Sequence, residues 1–201
     1  FTALDENGRT RVFIRRLDAG TAHALSGTEG AQYPFWAPDS RWLGFFTQPD
    51  DVLRKIDTNG GPPITLCPAS NGKGGSWSPD GVIVFAADAS SGLSRVPASG
   101  GEAVELTVRD TDRHNSHRLP WFLPDGRHFL FVGRGVAGEE STILVGSLDG
   151  GDPVPTVASA LTAYPNPFNP RVRISYRLPA HGRLAVRIYD VRGKLVRLLH
   201  D

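Results

Sequence analysis

Cysteine is nearly missing from this chain. Cys67 stands alone among 201 residues, so no intrachain disulfide can form. Methionine is absent, and the chain opens on Phe1. No run of about 18 apolar residues occurs, so no stretch reads as a membrane-spanning helix, and no signal-peptide pattern is visible. The signatures of several enzyme classes are lacking too: there is no nucleophile elbow, no P-loop and no Gly-rich nucleotide loop. His-Arg-Asp and Asp-Phe-Gly, which protein kinase chemistry requires, are also missing, so no kinase catalytic domain lies within these residues. Glycine (23) and proline (16) are plentiful, a load that suits many short strands and tight turns better than helices.

One pattern recurs three times. Trp36-Ala37-Pro38-Asp39-Ser40-Arg41-Trp42-Leu43-Gly44-Phe45-Phe46 has a shorter copy in Trp77-Ser78-Pro79-Asp80-Gly81-Val82-Ile83-Val84-Phe85-Ala86. The third copy is Phe122-Leu123-Pro124-Asp125-Gly126-Arg127-His128-Phe129-Leu130-Phe131-Val132. Proline presets the first central position of a tight turn, aspartate bonds the backbone two residues on, and glycine permits positive φ. The apolar run that follows is too short for an ordinary helix and reads as a buried strand. Gly60-Gly61, Gly100-Gly101 and Gly150-Gly151 form a second mark, with Ala19-Gly20 as a weaker first member; their spacings are 41, 40 and 50 residues. A period of roughly 40–45 residues with four short strands each is the signature of a propeller.

The units can be placed along the chain. Residues 11–27 hold the second half of one, with strands at Val12-Phe13-Ile14 and Ala22-His23-Ala24-Leu25. Residues 33–66 give a whole unit, 75–107 a second and 118–157 a third. The expected fold is therefore all-β: a partial β-propeller of three four-stranded blades plus half a blade over residues 1–157. Three and a half blades do not close a ring, since propellers use about four to eight. The expectation is that Phe1 is not the natural start and that further blades lie upstream, with completion of the arc by another chain as the alternative.

These repeats resemble TolB-type, WD40-like β-propeller repeats. Residues 27–130 are similar to the extracytoplasmic propeller that follows the membrane span in many bacterial serine/threonine protein kinases. The resemblance rests on Pro34-Phe35-Trp36, Lys55-Ile56-Asp57, Gly60-Gly61-Pro62-Pro63, Gly74-Gly75-Ser76-Trp77, Ser116-His117-Arg118 and Val145-Gly146-Ser147-Leu148-Asp149-Gly150. It implies an extracytoplasmic location: periplasm, cell surface or secreted.

After Gly151 the period stops and the charge changes sign. Residues 158–201 carry eight Lys/Arg against two Asp, a net of +6, so the preceding residues must sum to −5 for the whole chain to reach +1. Three prolines in 165–170 exclude helix and favour an extended lead-in. Val172, Ile174, Tyr176 and Leu178 then alternate with Arg173, Ser175 and Arg177, Leu184, Val186 and Ile188 alternate with Ala185 and Arg187, and Lys194–Leu199 adds a third strand. The arginines thus fall on the outer face of strands, which argues against a nucleic-acid site. The expectation for 158–201 is a small, incomplete immunoglobulin-like β-sandwich. Tyr164-Pro165-Asn166-Pro167-Phe168-Asn169-Pro170, Ile174-Ser175-Tyr176-Arg177-Leu178-Pro179 and Ile188-Tyr189-Asp190-Val191-Arg192-Gly193-Lys194-Leu195-Val196 resemble the FlgD-like immunoglobulin-type domain, which overlaps the C-terminal sorting domain of type IX secretion. The resemblance implies that secretion machinery is a partner through residues 164–201.

Candidate chemistry is sparse. His114, His117 and His128, preceded by Asp110 and Asp112, match no zinc spacing; His128 belongs to a strand after a turn, and the rest read as a polar loop between blades in which His117 orients a turn. The run from Asp110 to Asn115 lacks the glycine and the later glutamate of a calcium loop. Asp39, Asp80 and Asp125 occupy equivalent repeat positions, so each serves its own turn. Trp36, Trp77, Trp121 and Phe122 read as packing between blades, with a ligand-stacking set as the alternative. No catalytic residue, metal ligand, cofactor or specific ligand-binding residue is assigned. The expected role is non-catalytic: a binding, sensing or scaffold segment that takes a protein, peptide or glycan at the mouth of the propeller channel. The alternatives are the ectodomain of a membrane kinase and a propeller hydrolase completed by further blades; a cluster of titratable groups at the mouth would favour the enzyme.

Overall fold

The computed structural model describes residues 1–151 throughout and, beyond them, the backbone of the strands at 154–155, 162–164, 173–175, 185–189 and 195–200. Every regular element among the described residues is a β-strand. The chain divides into two compact units, Phe1–Val154 and Pro155–Asp201.

The first unit is built of four sheets. β1 (Thr2–Leu4), β2 (Thr10–Ile14) and β3 (His23–Ala24) form the first. β4 (Ala31–Trp36), β5 (Trp42–Thr47), β6 (Val52–Asp57) and β7 (Ile64–Pro68) form blade 1. Blade 2 comprises β8 (Gly75–Trp77), β9 (Val82–Phe85), β10 (Ser94–Pro97) and β11 (Val104–Glu105). Blade 3 comprises β12 (His114–Phe122), β13 (His128–Gly135), β14 (Thr142–Ser147) and β15 (Val154–Pro155). Within each sheet the strands neighbour one another in chain order. The first strands β4, β8 and β12 approach each other, and so form the inner edge of the arc.

The repeat turns form as their chemistry dictates. The N–H groups of Ser40, Gly81 and Gly126 bond back to the carbonyls of Ala37, Ser78 and Leu123 at 3.0, 3.1 and 2.9 Å. All three residues have positive φ (58°, 76° and 67°), a strain for Ser40 and none for the glycines. Both members of each Gly-Gly pair also have positive φ.

Two differences from the sequence reading stand out. The first sheet has one strand more than the expected half blade. β1 has only three residues and no Pro-Asp-Gly before it; it is fixed by the Asp5 carboxylate, which accepts the N–H groups of Asn7 and Arg9 at 2.9 Å. Secondly, β12 starts at His114, so the residues read as a polar loop are strand. Their polar groups are met locally: the Asn115 amide donates to Gly135 O at 3.2 Å.

The apolar runs of blades 1 and 2 are continuous because each of these two sheets is covered on both faces. Leu43 and Phe45 join Val12, Leu25 and Ile56 in the core shared with the first sheet, whereas Phe46 joins Trp77, Ile83 and Phe85 in the core between blades 1 and 2. Val84 and Ala86 turn the other way, onto Phe129, Phe131 and Leu144 of blade 3. Alternate residues of one strand thus serve different neighbours. Gly44 belongs to this fit: a side chain there would overlap the Phe35 ring. Cys67 lies in the same core, where burial pushes its thiol up to about 11.

Polar ties repeat across the interfaces. Lys55 donates from blade 1 to Ala98 O of blade 2 at 2.7 Å while its ammonium lies 4.8 Å from the Trp42 ring centroid. Forty residues on, Arg95 donates from blade 2 to Leu148 O of blade 3 at 2.8 Å. The two acceptors occupy equivalent positions, each two residues before a Gly-Gly pair.

In the second unit, β16 (Thr162–Tyr164) pairs antiparallel with β17 (Arg173–Ser175), and β18 (Ala185–Tyr189) with β19 (Leu195–His200). β16 occupies the first part of the expected extended lead-in. The prolines at 165–170, residues 190–193 of the turn expected at 189–193, and the alternating faces expected for the tail lie outside the described residues.

Because Phe85 is fully buried and lies 6.3 Å from the Phe46 ring, Phe85→Ala is expected to destabilise the first unit by about 3–5 kcal/mol. The urea midpoint measures this. Leu17→Ala, at a fully exposed position, should leave it unchanged.

Candidate functional site

Trp36, Trp77 and Phe122 are equivalent, 41 and 45 residues apart. Aligned on them, the three inner strands share a defect. β4 pairs Gln32 with Phe46 but Phe35 with Gly44, and β12 pairs Arg118 with Val132 but Trp121 with Leu130; each holds one extra residue. In blade 2, Lys73 N–H bonds Ala86 O at 3.1 Å, and Ser76 pairs with Val84, which is the same bulge. At its centre stand Tyr33, Gly74 and Leu119, all with positive φ (48°, 102° and 52°). For tyrosine and leucine this is a strained conformation. The bulges touch: Leu119 N–H donates to Lys73 O at 3.0 Å. A side chain at Gly74 would meet the Leu119 side chain at 2.9 Å, so glycine permits the close approach.

The bulges and the residues after them line a pocket of about 460 Å³, within the range of small-ligand sites. Its wall is apolar, with Tyr33, Pro34, Leu119 and Pro120 beside the aromatics of the three strands, and Tyr33 is its one titratable member. Tyr33 is 40 % exposed and Leu119 53 %. Ser76 Oγ is already engaged, accepting the Phe122 N–H at 3.0 Å.

The aromatic set divides. Trp77 is buried between blades 1 and 2, and Phe122 packs on the core between blades 2 and 3. Trp36 and Trp121 also line the pocket and are 53 % and 71 % exposed. By strand alternation, Trp36 faces the first sheet, and Trp121 faces away from blade 2. The residues that sequence reasoning missed are Tyr33 and Leu119. Their signal was the alignment of the three copies upstream of the aromatic.

The remaining candidates do not converge. Asp39 accepts Arg41 N–H at 2.9 Å, and Asp125 accepts Arg127 N–H and His128 N–H at 2.9 Å, each within its own turn. The His128 ring lies 2.6 Å from the Asp125 carboxylate in the same turn. Asp110 accepts Asp112 N–H at 3.1 Å. Among the described residues, no three His, Cys, Asp or Glu side chains are placed to share a metal ion.

His117 proves to be a tie between blades, not a turn residue in a loop. It is 1 % exposed, donates its N–H to Ser91 O at 2.9 Å and sets its ring 4.8 Å from that of Phe131. Its Nδ1 lies 2.8 Å from the Thr107 hydroxyl, whose oxygen also accepts Leu93 N–H at 2.8 Å. Among the described residues, Nε2 is buried without a partner. Burial, then the nearby His114 and Arg109, lower its pKa from 6.5 to about 4.

This geometry defines a β-propeller segment with an apolar pocket on its inner strands, and comparison with known proteins agrees on the fold. The structure is similar to TolB from Acinetobacter baumannii (TM-score 0.60, 15% identity, 96% of this chain and 49% of that one). It is also similar to a protein solved as TolB from Agrobacterium tumefaciens (TM-score 0.56, 18% identity, 99% and 80%). A chain of a nidogen/laminin complex is similar as well (TM-score 0.61, 10% identity, 96% and 89%). The chain spans about half the length of the Acinetobacter protein. A family described as the secretion system C-terminal sorting domain matches residues 162–200. No curated protein sequence matches the chain. The fold is therefore that of a TolB-like propeller, followed by a stretch that matches a secretion sorting domain.

The histidine tie has a pH signature. The folded state binds the His117 proton less readily than the unfolded chain does, so its contribution is present above pH 6.5 and is lost as pH falls toward 4. Urea unfolding should show a loss on the order of 3 kcal/mol across that window, the part of it above about pH 5 lying clear of carboxylate titration. His117→Gln should flatten it.

Proposed function

We propose that this chain is a non-catalytic, extracytoplasmic binding segment whose ligand occupies the pocket over the three inner-strand bulges. The observation that carries the reading is the convergence of three equivalent positive-φ positions, Tyr33, Gly74 and Leu119, two of them strained, on one apolar concavity. Strain retained at a repeat position costs stability, and bulges re-aim side chains toward sites. The wall offers aromatic, aliphatic and proline surface with a single titratable residue, a composition that supports recognition over turnover. The sorting-domain match and the TolB-like fold support the extracytoplasmic address. The finer reading is that residues 164–201 engage type IX secretion machinery and bring the propeller to the cell surface or the medium.

Two experiments test this. Tyr33→Gly and Leu119→Gly together remove the exposed side chains at positions that glycine occupies without strain, relieving about 1 kcal/mol at each. The doubly substituted chain should unfold at the same urea concentration or a higher one. It should no longer enrich any sequence from a displayed pool of random heptapeptides that the unaltered chain does enrich. Enrichment that survives both substitutions would remove the pocket from consideration. For the tail, residues 155–201 fused to the C terminus of a periplasmic reporter should carry it to the medium only in cells with type IX machinery. Retention in the periplasm would leave the tail as a spacer.

A further inference from the structure

The residue before each bulge centre is polar: Gln32, Lys73 and Arg118 hold equivalent positions. They flank Tyr33, the one titratable member of the wall. The Lys73 ammonium lies 5.7 Å from the Tyr33 ring centroid. Its hydrogen-bond partner is the neutral Asn71 amide oxygen. Arg118 donates from Nε to Ser116 Oγ at 2.7 Å and from Nη2 to Ala89 O at 2.9 Å, both neutral acceptors. Among the described residues, neither cation has a carboxylate partner, whereas Arg11, Arg16, Arg41, Arg54 and Arg127 all do.

The positive charge here is also concentrated. Desolvation and then the nearby Arg134 hold the Arg118 guanidinium below its ordinary range, with the Tyr33 hydroxyl group opposing them. Two partly buried, like-charged groups with no counter-charge beside a low-dielectric wall are an unfavourable arrangement that an incoming anion relieves. The ligand that fits is apolar over most of its length and anionic at one end. A glycan is disfavoured, because Pro34, Pro38 and Pro120 have no N–H to donate and the one hydroxyl of Ser76, which already accepts the Phe122 N–H, is little polar surface for a sugar. An alkyl chain would leave one side in water, since Tyr33 and Leu119 form an open wall. Flat rings and prolyl rings of an extended peptide match it better.

Resting on the binding reading above, we propose that the pocket takes an extended peptide whose aromatic or prolyl side chains lie against Tyr33 and Leu119 and whose carboxylate is held between Lys73 and Arg118. The carboxylate is that of an acidic side chain or of the peptide's own C terminus.

The test uses the full 201-residue chain and the same heptapeptide pool, displayed once with free C termini and once with C termini blocked as amides. Sequences enriched by the unaltered chain should pair aromatic residues or proline with aspartate or glutamate. If the C terminus is the anion, enrichment of acidic side chains should vanish in the free pool and return in the blocked one. The best sequence, synthesised and titrated, should bind about tenfold more weakly to Lys73→Gln and weaker again to Lys73→Gln/Arg118→Gln. Replacing its acids by amides should give the same loss. Lys73→Gln removes a bond to the Asn71 side chain and the contact with the Tyr33 ring but no bond between blades, so it keeps the test informative if the Arg118 change perturbs folding. Neutral or basic sequences enriched from the blocked pool in dependence on Tyr33 and Leu119 would overturn this inference and leave the pocket reading intact. Enrichment indifferent to Tyr33 and Leu119, or none at all, would overturn both. Binding of dodecanoate without any enriched peptide would overturn the peptide class.

Discussion

Blades 1 and 2 are apolar on both faces, and that single constraint organises the rest. A strand with one wet face needs one partner; a strand such as Val82–Phe85 needs two. Ile83 and Phe85 go to blade 1, Val84 to blade 3, and the meander between them has no solvent-facing side to fall back on. Blades are therefore stable only in company, and the stability of the arc resides in interfaces more than in sheets. The turns serve this end. Pro-Asp-Gly and Gly-Gly bends are tight enough to let adjacent blades meet along their full depth.

Around that apolar frame the polar contacts recur with the repeat. Lys55 and Arg95 each reach from a third strand to a carbonyl of the next blade, and Leu119 N–H reaches back from blade 3 to Lys73 O. The first pair sits beside the Gly-Gly turns, the last at the bulges. Because such bonds join equivalent points, they hold successive blades in one rotational register. The three bulges are thereby aligned on the same concave edge, and three minor distortions become one site.

How far the chain could be read depended on where its chemistry was local. Pro38-Asp39-Ser40 and its copies carry turn chemistry within four residues, so hairpins were legible and the four-stranded period followed. The two-sided burial was legible as unbroken apolar runs, but not which residue faces which blade, since that is decided only once the sheets are stacked. β1 escaped notice because three residues give too little alternation to count. The His114–His117 segment was misread because polar residues in sequence resemble a loop, while in the fold Gly135 O, Ser91 O and Thr107 receive them. The bulge was hidden for another reason. Tyr, Gly and Leu have no residue type in common, and only Gly74 signals positive φ by itself.

Cys67 gains a meaning from its place in this scheme. Its thiol is the chain's only one, is held unreactive by burial and lies in the core where blades 1 and 2 meet. A thiol reagent in solution reaches it only when that interface parts. The rate at which the intact protein is labelled therefore counts the openings between two particular blades, one opening at a time. The molecule carries its own clock for the breathing of the arc, with no substitution needed to install it.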